Sequence, residues 1–294
     1  MKIWLIRLFL KLTSLLPFSI IRAFGGIIGW LKYQLNSRDV KVTRRNISIC
    51  FHEFSNINQE NLVKQSTIES MKCAMESFWV WGVSADKVLT KFIKIKGLEH
   101  ILSLREKKTP ILMTGAHLGN WEALLNWIAS QMPCTIAYKE PKISGMDLII
   151  KSAREKAGVT MVPGTRIGIK QMINVLEENG TFIILSDQRP GKKGGVFAPF
   201  FNTQAYTMTL VQFLAQKTSA QLLFFYAKRI KNGFEVIIEP ASFDINQPDS
   251  EKFASLLNRQ LETQIMQCPE QFEWSYRRFR PQPDETITLY SDLK

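Results

Sequence analysis

The chain lacks the motifs of several common enzyme classes. No Gly-x-Ser-x-Gly sequence occurs among its 294 residues, which excludes the nucleophile elbow of the α/β-hydrolases. Neither a His-Glu-x-x-His sequence nor a Cys-x-x-Cys pair is present, so the usual spacings of zinc ligands are missing too. A zinc enzyme is therefore disfavoured, and the chain has no recognisable serine nucleophile.

Cysteine and histidine are both scarce. The four cysteines, at positions 50, 73, 134 and 268, show no close pairing. Cys73 and Cys134 lie in apolar patterns, which predicts buried free thiols and suits a reducing compartment. Because the chain has only three histidines, the position of each one is informative.

His117 lies between an apolar strand and an amphipathic helix. The strand is predicted over residues 110–114, and the helical pattern begins near Glu122. In α/β folds, the junction between a strand and a helix is where active-site groups collect. His117 is therefore a candidate catalytic residue, and the missing serine suggests that a substrate hydroxyl is the nucleophile.

Glu122 is the candidate partner of the imidazole. Inside one continuous helix a spacing of five residues places two side chains on different faces, so we expect His117 to precede the helix. The positive end of the helix dipole would favour a neutral imidazole, which can act as a general base. A carboxylate on the other ring nitrogen would fix the tautomer and stabilise the imidazolium. In the alternative interpretation, His117 caps the helix and Glu122 is a solvated first-turn acid.

The His-x4-Glu spacing resembles the His-x4-Asp/Glu motif of the glycerolipid and lysophospholipid acyltransferases. The similarity is greater to the late acyltransferases of bacterial lipid A biosynthesis, and it extends from about residue 4 to residue 283. The other blocks that resemble this family are Arg44–Ile47 with Cys50–Phe51, Ser186–Gly191, Val196–Phe201 and Pro269–Phe279. His52 stands where the family usually has proline, in a predicted loop.

The resemblance implies an O-acyltransferase that moves a fatty acyl chain from acyl-acyl carrier protein to a hydroxyl of a lipid A precursor. The acceptor would be a phosphorylated, multiply acylated glucosamine disaccharide, and no metal or cofactor is implied. His117 and Glu122 would be catalytic. The residues expected to bind substrate are Arg154, Asp187, Gln188 and Arg189. The implied location is the bacterial inner membrane, with the catalytic domain facing the cytoplasm.

Two other functions are compatible with the residues. The same chemistry could serve a lysophospholipid or another glycolipid acceptor, and only the Asp-Gln and C-terminal blocks argue against that. In a different class, the chain could be a non-enzymatic membrane-surface binding protein. An assay of acyl transfer distinguishes an acyltransferase from the non-enzymatic binding protein.

The charge balance favours an anionic partner. Lysine and arginine total 38 against 26 acidic residues, a formal net charge of +12. A phosphorylated lipid, an anionic membrane surface or an acidic carrier protein would each complement that surplus. Nucleic acid is the least favoured partner because no recognised binding motif is present.

The N-terminal residues 3–31 predict a membrane-associated helical segment. They are rich in large apolar side chains but contain Arg7, Lys11 and Arg22. A charged residue at the membrane centre raises the free energy of insertion by roughly 2.5–3.5 kcal/mol, and a large aliphatic residue lowers it by about 0.3–0.6 kcal/mol. The segment is therefore only marginally able to span a membrane. Arg7 and Lys11 share a face, which is typical of a helix lying in the interface. A buried helix of the globular domain is the alternative.

The predicted fold is α/β, with a mainly parallel mixed sheet flanked by helices. We expect residues 1–31 to form the membrane-associating segment and residues 32–294 the acyltransferase domain. Strands are predicted at 92–96, 110–114, 134–138, 159–162, 181–186, 220–227 and 234–239. Longer helices are predicted at 57–81, 145–157, 166–178, 206–217 and 249–267.

Overall fold

In the computed structural model, residues 3–138 and 145–293 are described. Strands and helices alternate along most of the chain, which confirms the α/β class. The strands are β1 Phe92–Lys96, β2 Ile111–Gly115, β3 Cys134–Tyr138, β4 Val159–Pro163, β5 Thr181–Leu185, β6 Gly195–Phe200, β7 Thr203–Met208, β8 Gln221–Ile230 and β9 Gly233–Pro240. The helices are α1 Ile3–Leu15, α2 Phe18–Gln34, α3 Arg38–Cys50, α4 Asn56–Gly82, α5 Ala85–Leu89, α6 Leu98–Glu106, α7 Trp121–Gln131, α8 Met146–Lys156, α9 Arg166–Glu177, α10 Leu210–Thr218 and α11 Ser250–Ile265.

The main sheet has seven strands in the order β1-β9-β8-β2-β5-β3-β4. Every neighbouring pair is parallel except β8 and β9, which form an antiparallel hairpin. The predicted mainly parallel mixed sheet is therefore confirmed. Strands β6 and β7 form a separate two-stranded antiparallel sheet.

Two apolar layers cover the sheet, one on each face. Strand β2 is buried along its whole length because Leu112 packs into one layer and Met113 into the other. The first layer includes residues of α3, α9, α10 and α11, and the second includes residues of α4 and α7. Burial on both faces explains why the central strands are continuous apolar runs rather than alternating ones.

The prediction of a helix over 206–217 was wrong at its beginning. Residues up to Met208 belong to β7, and α10 begins only at Leu210. The Thr203–Met208 stretch pairs in register with β6, so pairing with the preceding strand overrides its helical spacing.

The N-terminal apolar segment forms two helices, divided at Pro17. Helix α2 packs closely on α4: a Cβ added to Gly25 would lie 2.6 Å from the Cα of Lys72. The opposite side of the two helices exposes large apolar side chains. These are Trp4, Leu8, Phe9, Leu12 and Leu15 on α1 and Ile20, Phe24, Ile27, Ile28, Trp30 and Leu31 on α2. Within residues 3–138 and 145–293, none of the helices combines the length and apolarity needed to cross a membrane.

Candidate active site

His117 and Asp187 meet at the carboxyl edge of the sheet. β2 and β5 are adjacent and parallel, and their last paired residues are Gly115 and Leu185, so both chains leave the sheet at one edge. Shortly beyond these residues, Nδ1 of His117 lies 2.8 Å from Oδ1 of Asp187. The Asp187 side chain is buried, whereas 21% of the His117 side chain is accessible to solvent. The pair therefore joins a buried acid to an accessible base.

The hydrogen bond determines which ring nitrogen of His117 carries the proton. An ionised carboxylate can only accept, so Nδ1 donates to Asp187 and Nε2 of the neutral ring keeps its lone pair. A fixed Nδ1–H tautomer with an available Nε2 is the arrangement that a general base needs. The imidazole also packs edge-on against Trp121, with ring centroids 4.9 Å apart, which further restricts its orientation.

The electrostatic surroundings favour the protonated imidazole. Burial alone would lower the pKa of His117, but the charge and hydrogen bond of Asp187 raise it above its ordinary value. The charges of Glu273 and Glu122 act in the same direction. The direction of this shift is opposite to the expected preference for the neutral form, and the nearby carboxylates are its cause.

Gly119 allows the loop that carries His117 to turn against β8. Its φ is +66°, and an added Cβ would lie only 1.8 Å from the carbonyl oxygen of Ala227. The next residue, Asn120, donates its backbone N–H to that same carbonyl at 3.0 Å. Both the left-handed conformation and the close approach exclude a larger residue at position 119.

The C-terminal block holds the other side of this loop. The backbone N–H of Glu273 donates to the carbonyl of His117 at 3.0 Å, and Gly119 donates to the carbonyl of Gln271 at 3.1 Å. The side chain of Glu273 also contacts Ser70 of α4, with 3.2 Å between the oxygens. The Pro-Glu-Gln-Phe-Glu-Trp sequence is thus a direct support of the candidate site.

Glu122 does not have the contact that we predicted. Asp187 forms the hydrogen bond with the imidazole that we expected of Glu122. Glu122, in the first turn of α7, instead bonds to residues of two other helices. Its Oε2 accepts from Nε1 of Trp81 at 3.0 Å, and its Oε1 accepts from Nη2 of Arg154 at 2.5 Å. His117 does precede the helix, as expected, but its imidazole bonds to Asp187 after β5, whereas Glu122 bonds to Trp81 and Arg154 on α4 and α8.

Arg154 forms a second, nearly buried ion pair with Glu122. The two side chains are 12% and 6% accessible, and the guanidinium carbon lies 5.4 Å from the ring centroid of Tyr138. Because the charge of Glu122 acts on His117, this pair flanks the first one. Helix α8 thus places Arg154 beside the site, although by contact with Glu122 rather than with the imidazole.

The other expected substrate-binding residues surround His117 less tightly. The amide nitrogen of Gln188 lies 3.4 and 3.5 Å from the two ring nitrogens, which is long for a hydrogen bond. Arg189 is exposed, and so are Lys192 and Lys193 in the following loop. These three side chains provide positive charge at the surface next to Asp187.

Two charged residues near the site were not predicted. Glu273 acts on His117 as described above. Arg278 is buried, donates to the carbonyl of Tyr206 at 2.7 Å and to Oγ1 of Thr207 at 2.8 Å, and interacts with the charge of Asp187. Burial lowers the pKa of Arg278 to about 10. Both residues lie in the C-terminal block, but its proximity to β2 and β5 depends on tertiary structure.

Comparison with known proteins identifies the family of the chain. A family model described as bacterial lipid A biosynthesis acyltransferase matches residues 1–281. A lipid A biosynthesis lauroyltransferase of Escherichia coli (strain K12) is 27% identical over 286 residues, covering 96% of this chain and 92% of the relative. A lipid A biosynthesis palmitoleoyltransferase of the same strain is 22% identical over 280 residues, covering 94% and 90%.

A third relative comes from another organism. A lipid A biosynthesis acyltransferase of Haemophilus influenzae (strain ATCC 51907 / DSM 11121 / KW20 / Rd) is 27% identical over 286 residues, covering 94% of this chain and 89% of the relative. The similarity therefore spans the N-terminal helices, the sheet and the C-terminal block alike. The family-model match covers nearly the whole chain, so the protein belongs to the bacterial lipid A biosynthesis acyltransferase family and is an acyltransferase.

Proposed function

We propose that the protein transfers a fatty acyl chain from an acyl-acyl carrier protein thioester to a hydroxyl of a lipid A precursor, with His117 as the general base. The hydrogen bond between the accessible imidazole of His117 and the buried carboxylate of Asp187 carries the proposal. The names of the relatives support the lipid acceptor, and the family resemblance of the sequence supports the carrier-protein donor.

The reaction balances without any further reagent. Nε2 of His117 takes the proton of the acceptor hydroxyl as its oxygen attacks the thioester carbonyl carbon. The carbon–sulfur bond of the tetrahedral intermediate then breaks, and the imidazolium returns its proton to the departing thiolate. The products are an ester and the free carrier thiol. Asp187 stabilises the imidazolium that exists between the two proton transfers.

The described residues argue against an acyl-enzyme intermediate on cysteine. All four cysteines are buried and free. Burial raises the pKa of Cys73, Cys134 and Cys268 to about 12 and raises that of Cys50 as well, so none provides a thiolate near neutral pH. Direct attack by the acceptor hydroxyl fits these surroundings best.

Glu122 and Arg154 have a different role in the proposal. Their ion pair connects α7 to α8 beside His117 and leaves Asp187 to orient the base. We propose that they stabilise one side of the site. Gln188 and the exposed Arg189 would lie at its opening and bind the phosphorylated acceptor. Lys192 and Lys193 would add to the attraction for an anionic headgroup.

The apolar faces of α1 and α2 are proposed to lie in the interface of the bacterial inner membrane, with the site on the cytoplasmic side. Arg7 and Lys11 are exposed on α1 among the large apolar side chains, and cations of this kind attract anionic lipid headgroups. This placement would bring a membrane-embedded acceptor and a soluble donor to one enzyme.

A comparison of two histidine variants tests the proposal. His117→Ala should lower the rate of acyl transfer by about 10²–10⁴-fold, because positioned general-base catalysis is worth that much. His52→Ala is the matched control, since the His52 side chain is 62% exposed and far along the chain from the site. Purified protein, acyl-acyl carrier protein and a lipid A precursor are incubated, and the product is quantified by mass spectrometry. Wild-type turnover by folded His117→Ala protein would refute the proposed mechanism.

A further inference from the structure

Asn120 connects the loop that carries His117 to a buried network of charges. It is fully buried, and its side chain uses both of its polar atoms. Oδ1 accepts from the backbone N–H of Ala123 at 2.8 Å, which caps α7. Nδ2 donates to Oε2 of Glu76 at 2.9 Å. One side chain therefore both begins the helix and anchors the loop that precedes it.

Glu76 is the centre of that network. It has no solvent-accessible surface, and besides Asn120 it accepts from Nε of Arg22 at 2.6 Å and from Nε of Arg229 at 3.0 Å. Arg229 also pairs with Glu69 at 2.8 Å. The carboxylate of Glu76 is thus held on several sides, which makes it a rigid acceptor for Asn120.

The network extends to the N-terminal helices. Arg22, on α2, donates to the carbonyls of Ile230 and Gly233 at the turn between β8 and β9, at 2.6 and 2.8 Å. Glu76 lies on α4 and Arg229 on β8, so three elements converge on one carboxylate. The side-chain amide of Asn120 therefore connects the loop between His117 and α7 to this network, in addition to the backbone hydrogen bonds to Ala227 and Gln271.

We propose that Asn120 and Glu76 are positioning residues, which hold the His117 loop so that the imidazole faces Asp187. This inference rests on the proposed role of His117 as base. A capping role alone would not require asparagine, because serine and aspartate are equally good N-caps. The amide of Asn120 carries its acceptor and its donor on separate atoms, so it can accept from the helix and donate to a carboxylate at the same time.

The decisive test exchanges the two functional groups. Asn120→Asp keeps the cap but sets a carboxylate against Glu76, which repels it. Combining it with Glu76→Gln restores the hydrogen bond in the reverse direction, because the new glutamine donates to the new aspartate, and the net charge of the pair returns to its original value. We expect Asn120→Asp to lower kcat by about 10- to 100-fold with little change in KM, and the double variant to recover most of that loss.

Two further variants separate positioning from stability. Asn120→Ser retains a capping oxygen but cannot reach Glu76, so it should also lower kcat. Asp249→Ala removes the cap of α11, where the side chain accepts from the N–H groups of Glu251 and Lys252 at 2.9 and 3.0 Å. That control should lower the melting temperature and leave kcat of the folded protein unchanged.

The outcomes distinguish this inference from the proposed function. Reduced kcat in Asn120→Ser and Asn120→Asp, with recovery in the exchanged pair, supports the positioning role. Wild-type kcat in folded Asn120→Ser overturns it. Glu76→Gln also takes an acceptor from Arg22 and Arg229, so if the exchanged pair fails to fold or to recover activity, Asn120→Ser alone decides. If His117→Ala is inactive while Asn120→Ser is fully active, only the positioning inference fails.

Discussion

The two ion pairs beside the carboxyl edge of the sheet differ in what they leave available. His117 makes one close bond to Asp187 and keeps a ring nitrogen and a fifth of its surface for a ligand. Glu122, by contrast, has both oxygens engaged by Trp81 and Arg154 and is almost completely buried. A group that transfers protons must be accessible and titratable, whereas a buried group that connects helices needs a hydrogen-bond partner for each of its polar atoms. The histidine and the acid of one short motif therefore belong to different pairs, to which the proposed mechanism gives different tasks.

Breaking the first pair should have the largest effect on rate. Asp187→Asn leaves the size of the side chain unchanged but removes the charge that stabilises the imidazolium, and the amide can reverse the tautomer. We expect turnover to fall by about 10²–10⁴-fold with the fold intact. Steady-state acyl transfer and circular dichroism measure the two effects. An active Asp187→Asn enzyme would remove the distinction between the pairs.

Breaking the second pair should mainly affect stability. Glu122→Ala leaves the guanidinium of Arg154 buried without its carboxylate, which typically costs about 3–5 kcal/mol in a buried pair. Denaturant unfolding measures the loss, and Arg154→Ala with the double variant completes a thermodynamic cycle. We expect a coupling free energy of about 1–3 kcal/mol. Strictly additive effects would show that the contact between Glu122 and Arg154 does not stabilise the fold.

The pKa of His117 should depend on the carboxylate of Asp187. Asp187, Glu273 and Glu122 all raise it, and Asp187 contributes most of these three, so Asp187→Asn should lower the pKa. Because the folded-state pKa is above the unfolded value, this histidine stabilises the protein at low pH, and that contribution disappears as the pH rises through the folded pKa. NMR titration of labelled histidines in the two proteins gives both values. An unchanged pKa in Asp187→Asn would mean that the carboxylate exerts no field on the ring.

The smallest effect on folding is expected at the exposed face of α2. Ile27 is 55% exposed and Phe24 48% exposed, so replacing both with serine should change the free energy of unfolding by less than about 0.5 kcal/mol per site. Binding to anionic vesicles, measured by sedimentation, should nevertheless weaken because apolar area at the interface is lost. Thr165→Ala, at an exposed polar cap, is the control that should bind vesicles normally. Equal binding by all three proteins would contradict the interfacial placement of α2.

Much of the fold could be predicted from local pattern. The strand over residues 110–114 and the helix after it follow directly from apolar periodicity, and the central strands are recognisable because they are buried on both faces. The β6–β7 hairpin was harder, since residues 206–208 have a helical spacing that pairing with β6 overrides.

The site was predictable only in part, because its contacts join distant segments. His117 and Asp187 each follow an apolar strand, but the sequence does not show that the two strands are neighbours in the sheet. Once β2 and β5 are known to be adjacent and parallel, contact between the two side chains follows because both strands end at the same edge. Instead, the short spacing to Glu122 suggested the wrong partner. The support from Glu273 requires the C-terminal block to return to β2, which no local pattern encodes.

The pH dependence of kcat/KM tests most directly whether the imidazole beside Asp187 takes the hydroxyl proton. A base must be neutral to act, so activity should rise with pH through a single ionisation that lies above the ordinary histidine value of about 6.5. In Asp187→Asn the remaining activity should reach its plateau at lower pH. A flat profile through this range, or an ionisation that stays in place when Asp187 is replaced, would contradict the account.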